Sequence, residues 1–351
     1  TAGPGYGGAV LIGSVGGGAS TTIDISAVGT ITANSGANSG IFIGNIAEPG
    51  FGGADVTIRS GGTMSFTGTD NAGVMIGSMN GGTNPTKVTL GSMRDVTLSK
   101  ASVGSWNADA DSIAIYGGYS VDGAGIATAS LYGGDLSFTR TRIGSADGGA
   151  AIALYADFAA AGGDIAFSDG GGAYGASIDI VADKTLTLDA QSKGVRLQTT
   201  TGLMSIKAYN FSALGGSGIR GPLDVNLIGQ PIPYAGAGIA VIAGAGQTID
   251  VNNTLLLQAG SIDNPNGSGT PYYGGSVTIS AAGNQDISAG TLQMLAGTSG
   301  HDNAVQITGQ AAQDITASTL LQLTGGGGGS NNFARIASLG AAGVQTIDAT
   351  G

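Results

Sequence analysis

Gln247-Thr248-Ile249-Asp250, Gln285-Asp286-Ile287-Ser288, Gln313-Asp314-Ile315-Thr316 and Gln345-Thr346-Ile347-Asp348 are four versions of one phrase. Each copy brings its context with it. About eight residues upstream of the first three lies an apolar-x-apolar triplet: Ile239-Ala240-Val241, Val277-Thr278-Ile279 and Val305-Gln306-Ile307. Downstream comes a run rich in leucine: Leu255-Leu256-Leu257, Leu292-Gln293-Met294-Leu295 and Leu320-Leu321-Gln322-Leu323. Short alternating segments that recur every roughly 30 to 40 residues are the mark of a solenoid.

The N-terminal half repeats in a looser form. An Ile-Gly-Ser or a close relative stands at Ile12-Gly13-Ser14, Ile43-Gly44-Asn45, Ile76-Gly77-Ser78, Val103-Gly104-Ser105 and Ile143-Gly144-Ser145. Between these lie paired short runs: Ile23-Asp24-Ile25 before Ile31, Val56-Thr57-Ile58 before Met64-Ser65-Phe66, Val88-Thr89-Leu90 before Val96-Thr97-Leu98, and Ile178-Asp179-Ile180 before Leu186-Thr187-Leu188. The offset within each pair is again about eight residues. Apolar residues alternate with Thr, Ser or Asp, the period of a strand with one buried face. Gly, Asn and Asp punctuate nearly every run and mark tight turns. The nearest approach to a helical segment is Ala151 to Ala161, which Gly162-Gly163 follows.

These patterns predict an all-β chain: a right-handed parallel β-helix of about 10 rungs, each of three short strands, forming a rod about 50 Å long. A length of 351 residues would otherwise imply about two domains, but a solenoid grows by rungs rather than by separate cores. Glycine supplies 68 residues and charged residues only 10%, a composition close to low complexity; the 41% hydrophobic content at alternate positions argues for folding instead. The expected organisation is residues 1–206 with Ile-Gly-Ser repeats, an irregular Pro- and aromatic-rich loop or seam at 207–236, and residues 237–351 with Gln-x-Ile repeats. The seam rests on Pro222, Pro231 and Pro233, because proline is excluded from interior ladder positions. It carries Tyr209, Phe211 and Tyr234 as candidate contact residues. A second protrusion is expected from Ile262 to Tyr273, with Tyr272 and Tyr273 at its end, and a third at Gly325 to Gly329.

Candidate chemistry is sparse. His301 is the sole histidine, between Ser299 and Asp302; neighbours in sequence rarely form a triad, so a turn is the expected role. Gly3 to Gly8 and Gly216 to Gly221 match Gly-x-Gly-x-x-Gly, but neither joins a strand to a helix. Asp109 and Asp111 could offer oxygen ligands to calcium; a solvated turn is the plainer reading. Asp164, Asp169, Asp179, Asp183 and Asp189 are the carboxylates from which a polysaccharide-cleaving site would have to be drawn. Gln247, Gln285, Gln313 and Gln345 are expected to stack, each amide bonding the next rung, rather than to bind a partner. Tyr116, Tyr119 and Tyr132 cluster in one Gly-rich region and offer aromatic surface for protein or sugar.

The unit from Val277-Thr278-Ile279-Ser280 through Gln285-Asp286-Ile287 to Thr291-Leu292 resembles the repeats of filamentous-haemagglutinin-type exoproteins, the secreted partners of two-partner secretion systems. The likeness is strongest from about Ile239 to Gly351 and looser from Val10 to Leu188. It implies a right-handed β-helical rod, export through an outer-membrane transporter, and a role in adhesion or biofilm matrix. The absence of cysteine suits a long bacterial exoprotein that crosses an outer membrane unfolded. A net charge of −11 with no basic cluster argues against nucleic acid, and no run of about 18 apolar residues is present to span a membrane.

The expectation is therefore a non-enzymatic extracellular or cell-surface rod, needing no cofactor or metal, that serves as adhesin, filament or matrix protein. Its partners would be a host or bacterial surface glycan or protein, or another copy stacked end to end through open strand edges. Both termini read as cuts in a longer, processed polypeptide. The rival readings are a β-helical polysaccharide-degrading enzyme and an inert spacer stalk.

Overall fold

The computed structural model describes residues 10–15, 20–36, 39–46, 53–69, 73–78, 85–105, 111–129, 133–144, 148–156, 162–216, 238–260, 275–300, 302–341 and 343–350. Among these the chain is all-β, with large parallel sheets and no helix. No helix of the described residues is long and apolar enough to cross a membrane. The described residues fall into two compact units, 10–165 with 172–183 and 166–171 with 184–350.

In the first unit, strands Val10–Val15, Ile41–Ile46, Val74–Ser78, Ala101–Ser105, Arg142–Gly144 and Gly172–Gly175 lie side by side, all parallel. Strands Thr21–Ala27, Ala54–Ser60, Lys87–Ser92, Ser112–Gly117 and Ala151–Ala156 form a second parallel row, which the segment Ser177–Ala182 extends. Strands Ile31–Asn34, Met64–Thr67, Val96–Ser99 and Leu136–Thr139 form a third. Consecutive members of a row are separated in sequence by members of the other two. The chain therefore returns to the same place one strand further on, an order consistent with a parallel β-helix. Ala151–Ala156 is a strand, because Ile152 and Leu154 are buried at period two while Ala153 and Tyr155 face outward.

The Ile-Gly-Ser repeats stack in register: Gly13 pairs with Gly44, Gly44 with Gly77, and Gly77 with Gly104. Each holds a positive φ, from 118° at Gly104 to 139° at Gly13 and Gly44. A side chain there would be strained, and a Cβ on Gly44 would fall on the carbonyl oxygen of Gly77. The glycine is required by the turn above it as much as by its own backbone.

The second unit has two strands per turn instead of the expected three. Val195–Thr199, Ile239–Ala243, Val277–Ala281, Val305–Gly309 and Ala334–Ser338 form one parallel row. Met204–Leu214, Gln247–Gln258, Gln285–Leu295, Gln313–Thr324 and Gln345–Ala349 form the other. Here the second and third expected strands merge into one long strand. The corner survives as a shift in register, between Ala208 and Asn210, Val251 and Thr254, and Ala289 and Thr291. A bulge re-aims a strand without ending it. The expected irregular seam at 207–236 consequently starts in strand, since Met204–Leu214 runs unbroken through its bulge; residues 217–236 lie outside those described.

Apolar side chains at alternate positions make the cores. Val56, Ile58, Met64, Val88, Leu90, Val96 and Leu98 are fully buried in the first unit, as are Ile249, Leu255, Leu257, Ile287 and Leu292 in the second. Replacing Gly44 with Ala combines a strained φ with a backbone clash, and is expected to cost at least about 2 kcal/mol in denaturant unfolding. Gly29→Ala meets open space within 4 Å and should be near neutral.

Candidate binding surfaces

Gln247, Gln285 and Gln313 are almost fully buried, at 2%, 1% and 1% exposure. The Nε2 of Gln285 donates to Oε1 of Gln247 at 2.7 Å, and that of Gln313 to Oε1 of Gln285 at 2.6 Å. Gln345, which is exposed, donates its amide to Gln313. At the other end Nε2 of Gln247 reaches the Met204 sulfur at 3.4 Å. This column runs inside the second unit, so its glutamines fasten turn to turn and offer no contact surface. The acidic positions of the phrase do not form one ladder: Asp286 lies beside Asp314, but Asp250 lies beside Ser288, whose hydroxyl donates to it at 2.9 Å.

One expected contact residue changes role. Phe211 is wholly buried in strand Met204–Leu214 and packs in the core, whereas Tyr209 of the same strand is 49% exposed and stands on its outer face. Tyr132, Tyr234, Tyr272, Tyr273, Asp109 and His301 lie outside the described residues. Asp111 is buried rather than solvated. It accepts from the Thr86 N–H at 2.7 Å and from the Ser105 hydroxyl, tying one turn to the next. The Gly325–Gly329 run forms a bend that Asn332 holds, its amide donating to the Gly300 carbonyl at 2.8 Å and to that of Gly328.

Three of the five carboxylates weighed for polysaccharide cleavage accept hydrogen bonds from different neighbours. Asp169 accepts from Ser192 at 2.6 Å, Asp189 from the Gln191 backbone and side chain at 3.2 Å, and Asp179 from Tyr155 at 2.5 Å. The Asp164 N–H donates to Asp135 at 2.9 Å. Among the described residues no three His, Cys, Asp or Glu side chains stand close enough to hold a metal ion.

An aromatic surface forms on the second row of the first unit. Tyr116 and Tyr155 occupy the same register on adjacent strands, and their ring centroids are 5.6 Å apart at 33°. Tyr119 follows the strand of Tyr116 and opens an antiparallel hairpin, Tyr119–Val121 against Ala127–Ala129. Its ring stands 5.4 Å from that of Tyr116, tilted 55°. The hairpin turn is pinned by Asp122, whose carboxylate accepts from Ala124 and Ile126 N–H groups at 2.8 and 2.9 Å. Val121 packs over Gly91, where any Cβ would strike it, so the hairpin lies against the outer face of the sheet. All three rings are half-buried. The Tyr155 phenol is pushed well above its ordinary range, first by burial and then by the hydrogen bond and charge of Asp179. Burial also raises Tyr116.

In the second unit an open groove of about 390 Å³ crosses successive turns past Gln198, Thr199, Ser280, Thr308 and Gln310. The Oε1 of Gln198 is buried there without a hydrogen-bond partner. No family model, curated protein or solved structure matches the chain.

Truncating Gln285 to Ala strands two buried amide groups and should cost about 2–3 kcal/mol. Gln293→Ala, which breaks an exposed bond to Gln322, should cost about 0.5 kcal/mol or less. The tyrosines give a second outcome. Their folded-state pKa values lie above the ordinary 10.0, so the stability they carry is complete below pH 10 and falls as the unfolded chain ionises above it. Spectrophotometric titration should show tyrosinate appearing late in the folded protein, and earlier in Asp179→Asn.

Proposed function

We propose that this chain is a non-enzymatic extracellular rod: a right-handed parallel β-helix of about ten turns that acts as a bacterial surface adhesin or as a filament or biofilm-matrix protein. The observation that carries the reading is the turn-to-turn locking. Glycines, glutamines and apolar residues stack on their own kind, and Asp111, Asp169 and Asp179 accept hydrogen bonds from residues of neighbouring turns. Such a body is stiff, and its outer face is free for display. The repeat resemblance to filamentous-haemagglutinin-type exoproteins supports the same reading and suggests a two-partner export route.

Tyr116, Tyr119 and Tyr155 replace the loop aromatics as the favoured contact residues. The partner would be a surface glycan or protein, with end-to-end association of copies as the filament form. Electron microscopy of the purified chain should show rods or fibres of uniform width, and immobilised protein should retain cells or surface polysaccharide from suspension. Release of reducing ends from a polysaccharide, abolished in Asp179→Asn or Asp169→Asn, would overturn the non-enzymatic reading.

A further inference from the structure

The geometry points to a saccharide site on the first unit, in which Tyr116 and Tyr155 form the floor, Tyr119 the wall and Asp179 the polar edge, built for a linear, uncharged glycan that crosses successive turns. It deepens the adhesin reading above and rests on it for the biological role only.

The floor comes from the strand repeat. Ile113-Ala114-Ile115-Tyr116 and Ile152-Ala153-Leu154-Tyr155 pair residue for residue, so two phenol rings stand side by side on the solvent face while Ile113, Ile115, Ile152 and Leu154 are buried beneath. Neighbouring strands are about 4.8 Å apart, close to the advance of one pyranose along an extended glycan. Consecutive sugars can thus rest on consecutive turns. An equatorially substituted pyranose exposes a patch of C–H bonds that stacks on the electron-rich face of a tyrosine.

The wall makes the surface concave. Tyr119 is held at 55° to Tyr116 by a hairpin that Val121 anchors over Gly91. A sugar on the floor therefore meets a second ring at its edge. Only glycine at position 91 lets the hairpin lie this close.

The polar edge is Asp179, one turn beyond Tyr155; its strand pairs Ala153 with Asp179. One carboxylate oxygen accepts the Tyr155 hydroxyl at 2.5 Å, and the other has no hydrogen-bond partner among the described residues. A half-buried carboxylate with an open oxygen beside an aromatic floor is an acceptor for sugar hydroxyls. Its charge, and the net −11 of the chain, disfavour uronate or sulfated chains. The selected class is neutral, β-linked and linear.

The test titrates the full chain with cellohexaose, chitohexaose and an oligogalacturonate by calorimetry, alongside Tyr155→Ala, Tyr116→Ala, Tyr155→Phe and Gly91→Val. Expected is saturable binding of a neutral hexasaccharide, weakened about tenfold or more by either Tyr→Ala change, retained in Tyr155→Phe within about threefold, and reduced in Gly91→Val. Circular dichroism and thermal unfolding identify any variant that has lost its fold, and Tyr155→Phe keeps the ring while removing only the hydroxyl. No binding by either neutral hexasaccharide, equal binding by the Tyr→Ala variants, or preference for the oligogalacturonate overturns the site. Cell retention by the Tyr→Ala variants is measured separately: its persistence with the saccharide site refuted leaves the adhesin reading standing, and its absence in the unmodified chain defeats that reading alone.

Discussion

In-register parallel pairing between successive turns governs everything else in this molecule. Once Gly44 is opposite Gly77 and Gln285 opposite Gln313, the side chains of each paired stretch are stacked on counterparts about 4.8 Å away. A buried amide must then find an amide, a positive-φ glycine must leave room for the carbonyl of the next turn, whether of Gly77 above Gly44 or of Tyr174 above Gly144, and a slip by one residue would turn the apolar face outward. Buried polar groups show the same demand. Asp111 reaches across to Thr86, and the N–H of Asn303 donates to the side chain of Asn332 on the following turn. Each satisfies a group that the corner leaves without a ladder partner.

Residues answering to this constraint were legible in the sequence, because stacking converts a spatial requirement into a repeat. The Gln-x-Ile phrase and the Ile-Gly-Ser glycines are visible for that reason. The merging of strands in the second unit was not. Asn252, Asn253 and Gly290 read as turn residues, yet the backbone there shifts register without leaving the sheet, and turn chemistry does not distinguish a bulge from a break. Phe211 was misplaced for a related reason. Its proximity to Pro222 and Tyr209 suggested a protrusion, while its own alternation, with Met204, Ile206, Ala208, Phe211 and Ala213 all buried, places it in the core once the bulge at Ala208 is allowed for.

The aromatic surface was half legible. Tyr116 and Tyr119 stood out as a local cluster, but the outward ring that completes the floor, Tyr155, lies 39 residues along the chain from Tyr116. The signal was the parallel between Ile-Ala-Ile-Tyr and Ile-Ala-Leu-Tyr, obscured by the alanine-rich setting that gave residues 151–161 their helical character. Asp179 was visible only as one of five scattered carboxylates; the register of the third strand is what brings it beside Tyr155.

The locking also determines where function can reside. Inward positions are committed to packing, and corner positions to ladders of Gly, Asn, Asp and Ser that complete the backbone's hydrogen bonding. What remains is the outer face of each strand, where Thr, Ser and Ala recur, small residues that present little to a partner, among polar and charged residues. Some departures from that pattern link turns, as Asp250 does with Ser288 and Gln293 with Gln322; others are more than such a bond requires. A large aromatic placed outward on two consecutive turns, with a hairpin folded back to meet it and a glycine beneath the hairpin, is such a departure. It requires coordinated choices at Gly91, Tyr116, Tyr119, Val121 and Tyr155, none of which the coil itself demands. In a body where stacking accounts for most residues, the unexplained remainder is the place to look for recognition.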